Sequence, residues 1–467
     1  MSLAPAASAL RQIVAGAASR LRRQLDDPGA VQAQRLRELI DANAGSPFGI
    51  EHGFASIADA SDYARRVPVR DYEALWPWIE RSTLESRAAL TSEPVVAFEE
   101  TGGSTTGPRL VPYTARGLAE FERGLHAWLD DLFETFPALA QGSHYWSISP
   151  ACRPARRLPN GIAIGMPGDA AYFGAAAAPH IVASLAVPAE VGAIGDFATW
   201  RRQTLVHLLA RDDLALISVW SPTFLAALLD FARREPERVV DWLASSGLAS
   251  TARVARVAAA LTQDPPDLGR LWPRLGLVSC WDQAAARGPA AALRRRLVPC
   301  PVQGKGLLAT EALVTLPLHG HPFPVLALES GYFEFRQADG ATRSAATVED
   351  GGEYELVVSN ASGLWRYAIG DVVRVRGFAG RTPMVEFLGR NGGSDLCGEK
   401  LSAAFVGQAL ATHGLGFAML QADAQEQRYV LVVDSTEVGA DQAGALAARV
   451  EADLAANPQY RYARSLG

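Results

Sequence analysis

Cysteine, lysine and long hydrophobic runs are all scarce in this chain of 467 residues. Its four cysteines, Cys152, Cys280, Cys300 and Cys397, include no CxxC pair. That spacing argues against a structural zinc site and against a disulfide scaffold, and it fits a reducing cytoplasm. No uninterrupted run of about 18 apolar residues occurs, so we expect no membrane span. Arginines interrupt the N-terminal segment, which therefore does not read as a secretory signal.

Lysine supplies only two of the 44 basic residues, Lys305 and Lys400. Arginine takes every other basic position, so a retained lysine is a candidate for a site that needs a compact, flexible ammonium. The alternative is that both are leftover surface residues. The net charge of −6 gives no reason to expect binding to nucleic acid or to an anionic membrane.

The chain is too long for a single hydrophobic core, and its 49% apolar and 20% charged residues are typical of folded proteins. Helical periodicity dominates residues 1–90 and 116–135, and helices then alternate with apolar strands up to residue 389. This order predicts the α/β class: a large N-terminal domain, 1–389, with mixed or parallel sheets. A smaller α+β domain, 390–467, is expected to follow it.

The segment 100–109, with the sequence ETGGSTTGPR, is the first candidate for chemistry. Its glycines let the backbone approach a ligand closely, its hydroxyls add donors, and its amides can surround an anion. Arg109 adds a cation, so the segment suits a polyphosphate. It lacks the GK[ST] of a Walker A loop. The alternative is a polar surface turn.

Three further motifs follow in the sequence, each with a structural alternative. Glu311 beside Thr310 suits Mg²⁺, although the pair could also cap a helix or end a strand. Asp371 follows a glycine and is predicted to open a strand, where it could accept hydrogen bonds from ribose hydroxyls or simply form a turn. Arg390 stands before a polar stretch that could act as a hinge and bring Lys400 into the site, or form a solvated loop.

The order of these motifs resembles that of adenylate-forming enzymes, the superfamily of acyl-CoA synthetases and related ligases. The closer resemblance is to the Gretchen-Hagen-three family of auxin-responsive acyl-acid amido synthetases, especially its bacterial branch. It extends from about Gly49 to the end of the chain. The segments that carry it are TGGSTTGPRLVPYT (101–114), YWSISPACRPARR (145–157), LISVWSPTFLAALLDF (216–231), GLLATEAL (306–313), YFEF (332–335), YELVVSNASGLWRYAIGDVVRVRGF (354–378), and FLGR with GEKL (387–401).

This resemblance implies ATP-dependent activation of a carboxylic acid with Mg²⁺, release of pyrophosphate, and transfer of the acyl group to an amine, usually an amino acid. It also implies roles for individual residues. Glu311, Arg109 and Lys400 would stabilise the charge that develops during catalysis, with Glu311 holding the metal. The residues matched to nucleotide binding are Thr101, Gly103, Ser104, Thr105, Thr106, Gly107, Thr310, Asp371 for the ribose, and Arg390 at the hinge.

The acid pocket is expected among the aromatic residues Tyr145, Trp146, Phe173, Trp220 and Phe224. For Trp220 and Phe224, packing in a core is the preferred interpretation, because they stand four residues apart. The segment Leu308–Ala309 replaces an aromatic residue that stacks on adenine in many relatives. The stacking is then expected to be weaker, or to come from Trp365 or Tyr367.

Several features depart from the family pattern. Gly102 stands where the loop usually has serine, and Arg109 replaces a lysine of the wider superfamily. The sequence ends at Gly467, from which we expect a small domain shorter than that of the family. Two other functions stay open: an acyl-CoA or carrier-protein ligase, for which the basic residues of 153–157 could bind a nucleotide phosphate, and a non-catalytic protein that binds an acid or a nucleotide.

Overall fold

The computed structural model describes residues 4–84, 89–101, 109–146, 156–263, 265–391, 401, 403–423, 426, 428–457, 460, 461 and 464. Within these residues, no helix is both long and apolar enough to cross a membrane. The N-terminal part is helical, as predicted, and consists of α1 (Ala4–Val14), α2 (Ala17–Gln24), α3 (Pro28–Asn43), α4 (Pro47–Glu51), α5 (Ala60–Arg66) and α6 (Tyr72–Leu84).

Side-chain caps fix where these helices begin. Asp27 accepts a hydrogen bond from the backbone N–H of Ala30 at 3.1 Å, and Ser46 accepts one from Gly49 at 2.9 Å. Each cap is followed by a proline at the first helical position, whose missing N–H costs nothing there. These caps therefore mark where α3 and α4 begin.

A short mixed sheet and a long helix follow. The elements are β1 (Val95–Glu100), β2 (Leu110–Thr114), α7 (Ala115–Thr135), β3 (Ser143–Trp146), β4 (Arg156–Arg157) and β5 (Ala163–Ile164). The sheet has the order β2-β1-β5-β4, with β1 antiparallel to β2. Thr114 caps α7 by accepting from the N–H of Gly117 at 3.0 Å, so the helix begins directly after the hairpin, close to the predicted residue 116.

A four-stranded parallel sheet forms the centre of the large domain. Its strands are β3, β6 (Leu214–Ser218), β7 (Leu277–Cys280) and β8 (Val302–Gly304), in the order β3-β6-β7-β8. The helices between them are α8 (Gly174–Ser184), α9 (Phe197–Ala210), α10 (Pro222–Arg234), α11 (Pro236–Ser245), α12 (Thr251–Leu261), α13 (Leu268–Leu271) and α14 (Arg287–Arg296). Because all four strands are parallel, their carboxyl ends lie at one edge of the sheet.

An antiparallel sheet of seven strands packs beside them in the order β12-β11-β13-β14-β15-β10-β9. Its strands are β9 (Thr315–Leu316), β10 (Val325–Leu326), β11 (Tyr332–Arg336), β12 (Thr342–Ser344), β13 (Glu353–Ser359), β14 (Tyr367–Ala379) and β15 (Thr382–Arg390). Strand β14 begins at Tyr367, so Asp371 lies within the strand and does not open it as predicted. There it pairs with Arg390 of β15.

The C-terminal elements are α15 (Ala403–Ala411), β16 (Ala418–Asp423), β17 (Arg428–Val433) and α16 (Ala440–Leu454). This order of helix, two strands and helix is that of a small α+β unit. A separate hydrophobic cluster forms their core, with Leu401, Leu410, Leu446 and Val450 among its members. The chain thus has the predicted α/β class with a smaller α+β unit at its C-terminal end.

A buried ion pair joins the N-terminal helices to the antiparallel sheet. Arg366 donates from Nε and Nη2 to the two carboxylate oxygens of Glu334, at 2.8 and 2.9 Å. Its Nη1 also donates to the carbonyls of Ala64 and Val67, at 2.8 and 2.9 Å. Both side chains of the pair are about 5% exposed. Losing one partner would leave the other charge buried without a partner.

We expect Arg366→Met to lower the free energy of unfolding by about 3–5 kcal/mol, measured by urea denaturation. The matched control is Arg374→Met, which removes an arginine from a largely exposed pair with Glu353 and should cost less than about 1 kcal/mol. Adding Glu334→Gln to Arg366→Met should recover part of the loss. Equal effects of the two single substitutions would contradict this role of the pair.

Candidate active site

A cavity of about 420 Å³ opens at the carboxyl edge of the parallel sheet. Every strand places a lining residue at or just beyond its carboxyl end: Trp146 from β3, Ser218 and Trp220 from β6, Trp281 from β7, and Lys305 from β8. Ligands of open α/β sheets bind at this edge, and the volume is that of a small-molecule site. The cavity is therefore the candidate acid-binding site.

Aromatic side chains form a large part of the cavity wall. Trp128 of α7 meets Trp146 edge to face, with ring centroids 5.7 Å apart, and Trp146 meets Phe173 at 5.2 Å. Three more rings, which pack against one another, also line it: Tyr113, Phe121 and Tyr172. Such walls suit a flat or apolar acid.

The ammonium of Lys305 faces this aromatic cavity. Its Nζ donates to Ser218 Oγ at 2.5 Å, and lies 5.3 Å from the ring centroid of Trp128 and 5.4 Å from that of Trp220. Burial lowers the pKa of the Lys305 ammonium to about 8, although Asp169 acts in the opposite direction. The side chain is thus mostly protonated at neutral pH.

Three carboxylates line the cavity: Glu99, Asp169, and Glu100, which is paired with Arg156. Glu99 accepts from the backbone N–H of Met166 at 3.0 Å, and burial raises the pKa of its carboxyl. Asp169 keeps an accessible surface on the cavity side. Burial nevertheless raises the pKa of the Asp169 carboxyl, and the positive charge of Lys305 opposes this rise.

Glu311 lies directly after Thr310, which lines the cavity. The Glu311 side chain is buried, and its Oε2 has no hydrogen-bond partner in the described part of the chain. Its backbone is held firmly, since Asn360 Nδ2 donates to the Glu311 carbonyl at 2.8 Å and the Tyr113 hydroxyl donates to the Thr310 carbonyl at 2.7 Å. A buried carboxylate oxygen without a partner is unusual, because burying an unpaired acceptor is costly.

A charge cluster surrounds that carboxylate. Burial raises the pKa of Glu311, while Arg390 and Arg109 oppose the rise. Burial likewise raises the pKa of Asp371, whose Oδ1 accepts from Arg390 Nε at 2.9 Å. The structure thus brings together four residues predicted from separate motifs: Arg109, Glu311, Asp371 and Arg390.

Arg109 is anchored from its outer side. Its Nη2 donates to Glu73 Oε1 at 2.9 Å, and its guanidinium carbon lies 5.0 Å from the ring centroid of Tyr72. The N–H of Thr101 donates to the Arg109 carbonyl at 2.9 Å, which closes the hairpin at the base of the predicted phosphate loop. The loop residues Gly103, Ser104, Thr105, Thr106 and Gly107, together with Lys400, lie outside the described residues.

Two residues predicted to bind the acid do not line this cavity. Tyr145 is fully buried on the side of the sheet that packs against helices, and Phe224 packs against Trp200 there, with ring centroids 5.3 Å apart. Successive residues of a strand point to opposite faces, so β3 directs Trp146 and not Tyr145 to the cavity. Core packing, the preferred interpretation, thus describes Phe224, whereas Trp220 lines the cavity.

Neither aromatic candidate for adenine stacking lines the cavity. Trp365 is fully buried, its Nε1 donates to the Leu90 carbonyl at 2.9 Å, and the ring of Phe48 stacks on it at 6.0 Å. It is therefore a core residue. Tyr367 is 2% exposed and lies near Glu311, whose charge adds to the effect of burial in raising the pKa of its phenol.

Sequence reasoning missed Trp128, Asp169 and Trp281 as lining residues. Trp281 could have been found, because it directly follows a predicted apolar strand. Trp128 lies on the helix α7, whose facing side depends on packing with the sheet. Asp169 belongs to a segment rich in glycine and alanine that gives no strong periodic signal.

Two family models match the sequence: the GH3 family N-terminal domain over residues 17–294 and the GH3 family central domain over residues 324–390. The indole-3-acetic acid-amido synthetase GH3.8 of Oryza sativa subsp. indica is 25% identical over 407 residues. That match covers 77% of this chain and 66% of the rice protein. The chain therefore spans about two thirds of the length of this curated relative.

Solved structures show the same fold. The AtGH3.15 acyl acid amido synthetase in complex with 2,4-DB has a TM-score of 0.74 at 19% identity, covering 89% of this chain and 79% of that one. A 2-hydroxyisobutyryl-CoA ligase in the postadenylation state has a TM-score of 0.53 at 12% identity, covering 93% of this chain and 86% of the ligase. The fold is thus that of adenylate-forming ligases. Because the family models match more than half of the sequence, the chain belongs to the GH3 (Gretchen-Hagen-three) family.

Proposed function

We propose that this chain is an ATP-dependent acyl-acid amido synthetase. It would convert a carboxylic acid into an acyl-adenylate and then transfer the acyl group to an amine, usually an amino acid. The observation that carries this proposal is the buried carboxylate of Glu311, directly after the cavity residue Thr310, because its Oε2 has no hydrogen-bond partner among the described residues. An acceptor kept buried without a partner is suited to a cation that arrives with a ligand.

The residues around Glu311 fit a magnesium ion that is shared with a nucleotide. Mg²⁺ prefers oxygen ligands and usually takes one or two carboxylates together with phosphate oxygens and waters. Glu311 offers such a carboxylate, and no group of three or more metal-binding side chains occurs among the described residues to suggest a metal cage. When bound, the ion would neutralise phosphate charge.

In the first step, a carboxylate oxygen of the acid attacks the α-phosphorus of ATP. The bond from that phosphorus to the oxygen bridging to the β-phosphate breaks, and pyrophosphate leaves. The aromatic cavity would hold the acid in place, while Arg109 and Arg390, the cations near Glu311, would offset negative charge where the two anions meet. We assign the loop residues from Thr101 to Gly107 to the phosphates, and Asp371 to the ribose.

In the second step, the amine nitrogen attacks the acyl carbon, AMP leaves, and the nitrogen loses a proton. We propose that the small domain begins near residue 390, because β15 ends at Arg390 and the next helix begins at Ala403 with a core of its own. Rotation about Arg390 would bring Lys400 to the site for one step and withdraw it for the other. We also retain the bacterial branch and the cytoplasmic location as proposals, the latter because the reaction consumes ATP.

The names of the similar proteins support this choice of substrates. The rice relative is named an indole-3-acetic acid-amido synthetase, and the structural neighbour an acyl acid amido synthetase. An acyl-CoA ligase is the second candidate, because the fold is also that of a CoA ligase. Against it, Arg156 is paired with Glu100, and Arg157 donates to the Gly161 carbonyl at 2.7 Å. These arginines of the proposed CoA-phosphate groove are therefore already engaged.

The substitution Glu311→Gln separates the effect of the carboxylate on stability from its effect on activity. We expect acid-dependent pyrophosphate release to fall by about 100-fold or more. The melting temperature should stay the same or rise, because the amide removes the burial of an unpaired charge. Since the folded state raises the pKa of Glu311, the wild type loses stability relative to the variant as the pH rises through that pKa. Thermal unfolding at mildly acidic and neutral pH measures this difference.

The control for that variant is Glu349→Gln, which neutralises an exposed carboxylate paired with Arg343. It should leave both pyrophosphate release and the melting temperature close to those of the wild type. Full activity of the Glu311→Gln protein would contradict the proposed role of Glu311.

The acceptor is tested by supplying ATP, Mg²⁺ and a panel of aryl, indolyl and fatty acids, with hydroxylamine as a general nucleophile. We expect acid-dependent pyrophosphate release and formation of the hydroxamate. Replacing hydroxylamine by amino acids should give amides, detected by mass spectrometry. Thioester formation with CoA at a higher rate than amide formation would favour the ligase alternative.

A further inference from the structure

Lys305 has no task in the proposed adenylation, although it faces the acid cavity. An ammonium has three N–H donors, and among the described contacts only the one with Ser218 engages a donor. The Trp128 and Trp220 rings near Nζ stabilise the charge but accept no conventional hydrogen bond. The cavity therefore holds a cation with donor capacity to spare.

Asp169 provides the complementary acceptor. Its carboxylate lines the same cavity and interacts electrostatically with Lys305. Within the described residues, however, no direct ion pair joins the two groups and neither has another charged partner in contact. A polar group entering the cavity could thus meet a donor and an acceptor at once.

This pair is separate from the charges around Glu311. The titratable groups that influence Lys305 are Asp169 and the neutral thiol of Cys280, whereas those that influence Glu311 are Arg390, Asp371 and Arg109. The two sets share no member. An acid whose carboxyl group lies near Thr310 and Glu311 would therefore direct its other end towards Lys305.

We propose that the cavity selects acids that carry a hydroxyl group at the end remote from the reacting carboxyl. Lys305 donates a hydrogen bond to that hydroxyl, and Asp169 accepts one from it. The inference rests on the proposed function only for the orientation of the acid. It names the substrate class as aromatic hydroxy acids, in place of the purely hydrocarbon acids that the aromatic walls alone would suggest.

Charge balance favours a hydroxyl over the other possible groups. If the acid ended in a hydrocarbon group, the Lys305 ammonium and the Asp169 carboxylate would face an apolar surface. Both groups would then lose solvation, which is unfavourable. A second carboxylate would pair with Lys305 but be repelled by Asp169. A neutral hydroxyl both donates and accepts, so it satisfies the two groups together. Sites built to bind a hydroxyl discriminate strongly against analogues that lack it.

The test compares matched acids in the pyrophosphate assay. The para-hydroxy, para-methyl and para-carboxy forms of benzoate, phenylacetate and cinnamate cover three distances between the two ends. For at least one length, we expect the hydroxy acid to have a kcat/KM about 10 to 100 times that of the methyl acid. The carboxy acid should be the poorest of the three. A preference for the methyl or the carboxy form at every length would overturn the proposal.

Lys305→Met keeps the length of the side chain and fits an aromatic environment. We expect the preference for the hydroxy over the methyl acid to fall to about one. Asp169→Ala serves as a second variant on a partly exposed residue and should reduce the same preference. Arg295→Met, which removes an exposed cation from the nearby helix α14, is the charge-matched control and should change nothing. If Lys305→Met lost activity with every acid, Lys305 would be assigned to the reacting carboxylate, and the proposal would be contradicted.

A binding measurement without ATP separates this inference from the proposed function. Expression with lysine that carries carbon-13 at its ε-carbon gives signals only from Lys305 and Lys400, because the chain has two lysines, and it leaves the three N–H donors of each ammonium in place. The signal missing from the Lys305→Met variant should titrate near pH 8. It should shift when the para-hydroxy acid is added, and less so with the para-methyl acid. If the shift appears while no acid releases pyrophosphate, the proposed function fails and the binding site stands. The absence of any shift with every hydroxy acid would refute the site itself.

Discussion

The cost of burying the Glu311 carboxylate is the constraint on which the proposed site depends. A carboxylate removed from water without a partner destabilises the folded chain. Here the backbone on either side is nevertheless held by Tyr113 and Asn360, which keeps the side chain in place. The surrounding arginines reduce the electrostatic cost without forming a contact with Oε2. The fold thus preserves a negative charge that a bound cation and its phosphates can use.

The parallel sheet places the candidate acid cavity beside the Glu311 carboxylate. Four strands end at one edge, and each places a lining residue there, so the acid cavity is a consequence of strand direction. The segment after β8 then leads from Lys305 to Thr310, both of which line the cavity, and on to Glu311. The antiparallel sheet completes that cluster because the register of β14 and β15 sets Asp371 opposite Arg390. Two sheets of different type therefore meet at the proposed site.

The sequence predicted the fold class and most elements, because their periodicity is strong and local. It also predicted that Glu311, Asp371, Arg390 and Arg109 belong to one site. Their motifs are short, and their proximity was expected from the family resemblance. It could not assign the cavity wall in the same way. Which of Tyr145 and Trp146 faces the acid depends on the pairing of β3 with its neighbour, and this register is a property of the folded sheet. The burial of Trp365 likewise depends on N-terminal helices more than 300 residues away in the sequence.

The scarcity of lysine gains a physical meaning from the surroundings of Lys305. A guanidinium is planar, wider than an ammonium and always charged. Between Trp128 and Trp220, an ammonium can approach both rings and still donate to Ser218 Oγ. Burial lowers the pKa of this ammonium to about 8, so the protonated form still predominates at neutral pH. An arginine at this position would need space for its planar guanidinium group inside the candidate acid cavity. A chain that otherwise uses arginine almost everywhere therefore has a steric and electrostatic reason to keep lysine at this position.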